Sequence, residues 1–181
     1  MRQSFLIYCE GETEVGYFSS FKKRAKRVKT GNALAVVQEA IAQKKANNTT
    51  VDQYWVVFDK DDSTDDQFDK AVQLALANGL QVAWSNQAFE LWFILHFQKF
   101  TQKCHRNQYE KVLKVHLPLY SAADKGEEQG KWLSRETIHL ADTVIANANS
   151  GRASFGTGLK PSEMESCTTI QDLVVAIREN S

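Results

Sequence analysis

Apolar positions along this chain alternate between two textures. Short, β-prone runs stop abruptly at polar or acidic residues: Phe5-Leu6-Ile7-Tyr8-Cys9 at Glu10-Gly11-Glu12-Thr13-Glu14, Tyr54-Trp55-Val56-Val57-Phe58 at Asp59-Lys60-Asp61-Asp62, and Leu80 to Trp84 at Ser85-Asn86. Between them, apolar residues recur at helical spacing: Val15, Phe18 and Phe21, then Leu34, Val37 and Ile41, then Phe68, Val72, Ala75 and Leu76. Helices are expected from Thr13, a candidate N-cap, from Ala33 to Ala46, and from Asp65-Asp66 to Asn78-Gly79. Thr30-Gly31-Asn32 reads as a turn and Asn47 to Asp52 as a polar return loop. Strand, helix and short return repeated in this way describe parallel crossovers, hence an α/β sheet flanked by helices. The stretch between the first helix and Gly31 is short and leaves little room for a regular second strand, of which Val28 and Lys29 would be the remnant.

Leu91 to Phe97 is apolar on nearly every side and should form a buried helix. Beyond Lys103 the pattern is helical and more polar, with helices expected over Tyr109 to Val115, Trp132 to Ala148 and Thr169 to Glu179, punctuated by Pro118 and Gly126 to Gly130. The organisation that follows is an α/β core over residues 1–100 and a C-terminal helical region over 101–181 packed on it, within a length suited to one domain.

Charge changes this picture little. Lys plus Arg and Asp plus Glu both number 22, so no global field marks a polyanionic partner, and any nucleic-acid contact must come from a local patch. Three scattered cysteines, Cys9, Cys104 and Cys167, form no Cys-x-x-Cys pair, which argues against a zinc ribbon or disulfide framework. No run reaches membrane-spanning length and the N-terminal apolar run is too short for a signal peptide, so the expected location is the cytoplasm.

The candidate chemistry lies where the strands end. Ligands of open α/β sheets bind beyond the carboxyl ends of the strands, where Glu10 and the pair Asp59 and Asp61 fall. An acidic turn also suits a helix start, where Glu12 and Glu14 would complement the dipole. If the two strands are neighbours, three carboxylates converge, and their oxygens suit a hard cation such as Mg²⁺. Without a cation they would raise one another's pKa. Glu90, at the first turn of the apolar helix, is either a helix-start charge or a further ligand. His96 is either a satisfied core histidine or a general acid or phosphate contact.

Lys22, Lys23, Arg24, Lys26, Arg27 and Lys29 form a basic run, read either as a solvated face or as a phosphate grip beside the acids. Gly151 to Thr157 lacks the lysine and the preceding strand of a P-loop; it reads as a surface loop whose Arg152, with Lys160, is available to a substrate backbone. His105, His116 and His139 have no metal-ligand spacing.

Taken in order, CEGETEVGYF, VVFDKDD and SNQAFELWFILHF resemble the RloB-like family, as does the closing SCTTIQDLVVAIREN. That family carries a Glu-Gly turn, a strand ending in Asp-x-Asp and a Phe-Glu-Leu-Trp helix, and is related to Toprim domains. One departure is Asn86-Gln87-Ala88, where the family more usually has Asn-Pro-Cys. The resemblance implies a Toprim-like fold and catalytic Glu10, Asp59 and Asp61. With Glu90 these would hold Mg²⁺ or Mn²⁺ for phosphodiester hydrolysis of DNA or RNA in prokaryotic defence against phage. It implies nucleic acid as partner together with an AAA/ABC-type ATPase encoded nearby, and it is compatible with a homo-oligomer. The alternative it leaves open is a non-catalytic nucleic-acid-binding or sensor subunit working with that ATPase.

Overall fold

Alternation along the strands divides their side chains between two cores. Phe5, Ile7 and Cys9 of the first strand face one side with Trp55, Val57 and Ala83, while Leu6 and Tyr8 face the other with Val56 and Phe58. A computed structural model describes residues 3–29, 31–46 and 51–180; Thr30 of the expected turn and Asn47–Thr50 of the expected loop lie outside the described residues. The order is β1 (Phe5–Cys9), α1 (Glu12–Ser19), β2 (Arg24–Arg27), α2 (Ala33–Ala46), β3 (Gln53–Asp59), α3 (Asp65–Ala77), β4 (Gln81–Asn86), α4 (Glu90–Phe97), α5 (Tyr109–His116), α6 (Glu127–Thr137), α7 (Ala141–Ala153), β5 (Cys167–Thr168) and α8 (Ile170–Glu179). The strands pair as β2-β1-β3-β4-β5; β1 to β4 run parallel and β5 is antiparallel to β4.

The expected α/β architecture is therefore present, a mostly parallel sheet flanked by helices. Helices α2 and α3 cover one face, and α1 with α4 to α8 builds the larger core on the other. Helix α4 is buried from Leu91 to His96, as its all-round apolar surface requires.

Several local expectations need correction. A second strand does form, as β2, in register with Leu6 to Cys9. Its polar residues masked it, but this is an edge strand whose neighbouring lysines lie over aromatic rings. Lys23 Nζ is 4.6 Å from the Phe5 ring centroid and Lys26 Nζ is 4.6 Å from that of Tyr8. Cation–π contact secures the strand while the charges blunt its open edge. The N-cap of α1 is Gly11 rather than Thr13, whose hydroxyl instead accepts from the Gly126 amide at 3.3 Å. In α2 the fully buried stripe is Ala33, Val36, Val37 and Ala40, with Leu34 and Ile41 at its margins.

The helix expected over Trp132 to Ala148 is two helices, α6 and α7, separated by a 3₁₀ turn at Ile138–Leu140. Thr137 donates its hydroxyl proton to the Leu133 carbonyl at 2.7 Å, the back-bonding that bends helices. Arg152 is not on a loop: it belongs to α7 and forms a two-point pair with Asp172 at 2.6 and 3.0 Å. Helix α3 starts as its sequence suggests, with a reciprocal capping box between Thr64 and Gln67.

Candidate functional site

Parallel pairing of β1 with β3 sets Cys9 opposite Val57, so the two acidic strand ends leave the sheet side by side. Glu10 donates its backbone N–H to the Val57 carbonyl at 3.0 Å, and its Oε2 accepts the Asp59 amide at 3.2 Å. Asp59 shares the face of Trp55 and Val57, which points it toward α1 and α4. Its Oδ2 accepts the amide of Phe89, just before α4, at 2.8 Å. Its Oδ1 is buried without a hydrogen-bond partner. An unsatisfied buried carboxylate oxygen is costly and calls for a proton or a cation.

Glu14 is the residue that sequence reasoning missed. It lies on the first turn of α1, four residues after Glu10, and is only 6% exposed, unlike an ordinary helix-start charge. A Cβ on Gly11 would fall 2.3 Å from Glu14 Oε2, so only glycine leaves room for this carboxylate to fold back against the turn. The signal available was the four-residue spacing with a glycine between two glutamates.

Burial drives the electrostatics of this cluster. It pushes the Glu10 carboxyl up to about 7, against the lowering effect of the Asp59 amide, with Asp61 adding repulsion. Burial also pushes Glu14 up to about 7, and Glu90, Glu10 and Asp61 reinforce the shift. Asp59 is raised well above the carboxylate range, first by burial and then by Glu14, Asp61, Glu10 and Glu90. Glu10, Glu14 and Asp59 therefore sense one another, and in a metal-free protein at neutral pH part of the charge of these three is neutralised by protons.

Asp61 and Glu90 stand at the edges of the group and are already engaged. Asp61 pairs with the Arg106 guanidinium, which also reaches Asp62, and Glu90 Oε1 accepts from the Tyr120 hydroxyl at 3.3 Å. Among the described residues, no group of three or more His, Cys, Asp or Glu side chains is arranged as a ready metal-holding set. The donors that come nearest to one are oxygens, which suit Mg²⁺ or Mn²⁺ rather than a soft metal, and the orphaned Asp59 oxygen is the atom such an ion would satisfy.

These acids floor a cavity of about 610 Å³ whose walls include Phe89, Tyr109, Tyr120 and Leu133 and whose basic groups are Arg27, His105, Arg106 and Lys125. The six-residue basic run does not gather there. Arg27 alone of that run lines the cavity, paired with Glu12 at 2.7 Å. Lys23 and Lys26 lie over Phe5 and Tyr8, side chains on opposite faces of the sheet, so the run is split. His96 lies outside the site: 2% exposed, bonded through Nδ1 to the Trp92 carbonyl at 2.9 Å, and driven by burial down to about 4, it is a neutral core residue.

No helix among the described residues is long and apolar enough to cross a membrane. No curated protein and no solved structure matches the chain. The model of the RloB-like protein family matches residues 5–177, nearly the whole of the 181-residue chain and including every acid of the cluster, and the chain belongs to that family.

Proposed function

We propose that the protein is a metal-dependent nuclease of the RloB-like, Toprim-related type that hydrolyses phosphodiester bonds of DNA or RNA. The observation that carries this reading is Asp59, whose buried, unpartnered oxygen sits at the end of β3 beside Glu10 at the end of the adjacent parallel β1 and Glu14 on the first turn of α1. Asp59, Glu10 and Glu14 would hold Mg²⁺ or Mn²⁺, with Asp61 and Glu90 at the margin. Bound there, such an ion supplies Lewis-acid polarisation of a phosphate and a more acidic water.

The chain's own groups perform the remaining tasks. Glu10, its pKa raised by burial in the metal-free protein, would be ionised once a cation replaces its proton, and there it holds the ion and orients the water bound to it. Arg27 and Lys125 at the cavity wall attract phosphate oxygens. Phe89, Phe93, Tyr109 and Leu133 supply an aromatic and apolar wall around the acids. A role in prokaryotic defence, with a neighbouring ATPase as partner, rests on family membership.

The test is incubation of purified protein with labelled single- and double-stranded DNA and RNA, with Mg²⁺ or Mn²⁺ and with chelator. Metal-dependent cleavage that Asp59→Asn lowers at least about 100-fold supports the reading. Absence of cleavage, or cleavage indifferent to Asp59→Asn, overturns it. The second reading, a nucleic-acid-binding or sensor subunit, is favoured by the lack of a ready metal-holding set among the described residues and by the engagement of Asp61 with Arg106. It predicts metal-independent binding without turnover.

A further inference from the structure

Arg106 lies outside the acidic strand ends in sequence, yet it is built into them. Its guanidinium bridges Asp61 and Asp62. Its backbone N–H donates to the Gln87 side-chain oxygen at 2.8 Å, while the Gln87 backbone carbonyl accepts the Asp61 amide at 2.8 Å. One residue therefore anchors both members of the ion pair. Asp61 itself has φ 45°, a left-handed conformation that this carbonyl contact secures in a non-glycine residue. Arg106 also opens a short 3₁₀ turn, Arg106–Gln108, capped by the His105 ring, which accepts the Asn107 amide at 3.2 Å. Its side chain is 31% exposed and borders the cavity, so it is accessible to a ligand as well as fixed at its base.

A planar fork held on two carboxylates has the geometry to hold phosphate oxygens, and a divalent ion arriving at the acids competes with it for Asp61. We infer that Arg106 is a further phosphate-binding side chain of this cavity beside Arg27 and Lys125, stored on Asp61 and Asp62 as the counter-ion of the acid floor and released from Asp61 when a divalent cation binds. Asp62, 75% exposed and next to Asp61 in the chain, keeps the freed guanidinium from leaving the site. Gln87 is the positioning residue for both partners. This assignment rests on the metal reading above but goes further, since it names a further group that meets the substrate and a competitor that sets metal affinity.

The experiment is Mn²⁺ titration by calorimetry of the wild type and Arg106→Gln, with binding of a labelled oligonucleotide measured in Ca²⁺ across a range of salt. Removal of one positive charge beside the acids should tighten Mn²⁺ binding about tenfold. The same change should weaken oligonucleotide binding about tenfold and reduce the salt slope by about one. Wild-type Mn²⁺ binding that Arg106→Gln leaves unchanged or weakens overturns this inference and leaves the metal reading standing. Mn²⁺ binding by neither protein removes both. Should Arg106→Gln fail to fold, the guanidinium NMR signal of wild-type Arg106 provides the test. A shift on addition of Mg²⁺ supports the exchange, and a signal unmoved at saturation overturns it.

Discussion

Gly130 of α6 meets the backbone of α1 with no room for a side chain: a Cβ there would lie 2.0 Å from the Thr13 carbonyl oxygen and 2.6 Å from the Tyr17 nitrogen. The contact is reciprocal, since a Cβ on Gly16 would lie 2.0 Å from the Glu127 carbonyl oxygen. Paired glycines let these helices touch backbone to backbone, and α1 is the helix that carries Glu14. Gly130→Ala and Gly16→Ala should each destabilise by about 2–4 kcal/mol in urea unfolding, the upper range of overpacking because backbone cannot swing aside. Gly151→Ala is the control. That glycine lies within α7 with open space around it, and alanine should be neutral or stabilising by about 0.5–1 kcal/mol.

The acid cluster makes stability fall as pH rises. Glu10 and Glu14 have ordinary carboxyl pKa values when unfolded and values of about 7 when folded. Between about 4.5 and 7 the native state therefore binds more protons than the unfolded state, so stability is greatest at the acid end of this window and is lost as pH passes 7. One such group accounts for at most about 3 kcal/mol, and the two do not add because they repel each other. Glu14→Gln should raise the unfolding free energy at pH 8 and flatten its decline from pH 5 to 8. A decline as steep in Glu14→Gln as in the wild type would count against this account. On the proposed metal-dependent reading, Mn²⁺ would replace protons as the neutralising charge and should raise Tm more at pH 8 than at pH 5.5 in thermal melts.

His96 gives the opposite sign. Its folded pKa of about 4 lies below its ordinary value, so the unfolded state binds more protons between about 4 and 6.5. Its contribution is complete above 6.5 and is lost as pH falls through 4. His96→Phe should preserve the packing against Phe93 and shrink the acid-side loss of stability by about 1–3 kcal/mol, while leaving the proposed nucleic-acid cleavage at pH 7.5 unchanged. Loss of cleavage in a well-folded variant would place His96 in the chemistry instead.

How much of this was legible depended on whether a residue's role followed its local pattern. The strands ending in Glu10 and Asp59 could be read because buried parallel strands are continuous apolar runs whose ends are marked by charge. The second strand was hidden because an edge strand buries little and its basic residues read as a solvated face. Glu14 was hidden because helix-start acids are ordinary, and its carboxylate folds back against the turn at Gly11, a contact that no periodicity encodes. Arg106 was hidden because it sits in a segment with no periodicity and meets Asp61 across 45 residues of sequence, with Gln87 bonded to both, a long-range arrangement that no spacing encodes.

Asp59 separates chemistry from folding most sharply. Asn at this position retains an oxygen for the Phe89 amide and places its NH₂ where the wild type has the orphaned Oδ1, beside acceptor carboxylates. It also removes a charge that burial and four acids oppose. Asp59→Asn should therefore be as stable as the wild type or more so at pH 7.5, while losing both its thermal response to Mn²⁺ and metal-dependent cleavage. Asp59→Ala removes the acceptor as well, leaves the Phe89 amide unpaired in a buried setting, and should cost about 1–3 kcal/mol. The pair is read by urea unfolding with and without Mn²⁺. A Mn²⁺ stabilisation in Asp59→Asn equal to that of the wild type would show that the ion binds elsewhere. A stability loss in Asp59→Asn as large as in Asp59→Ala would show that the carboxylate is held for structure alone.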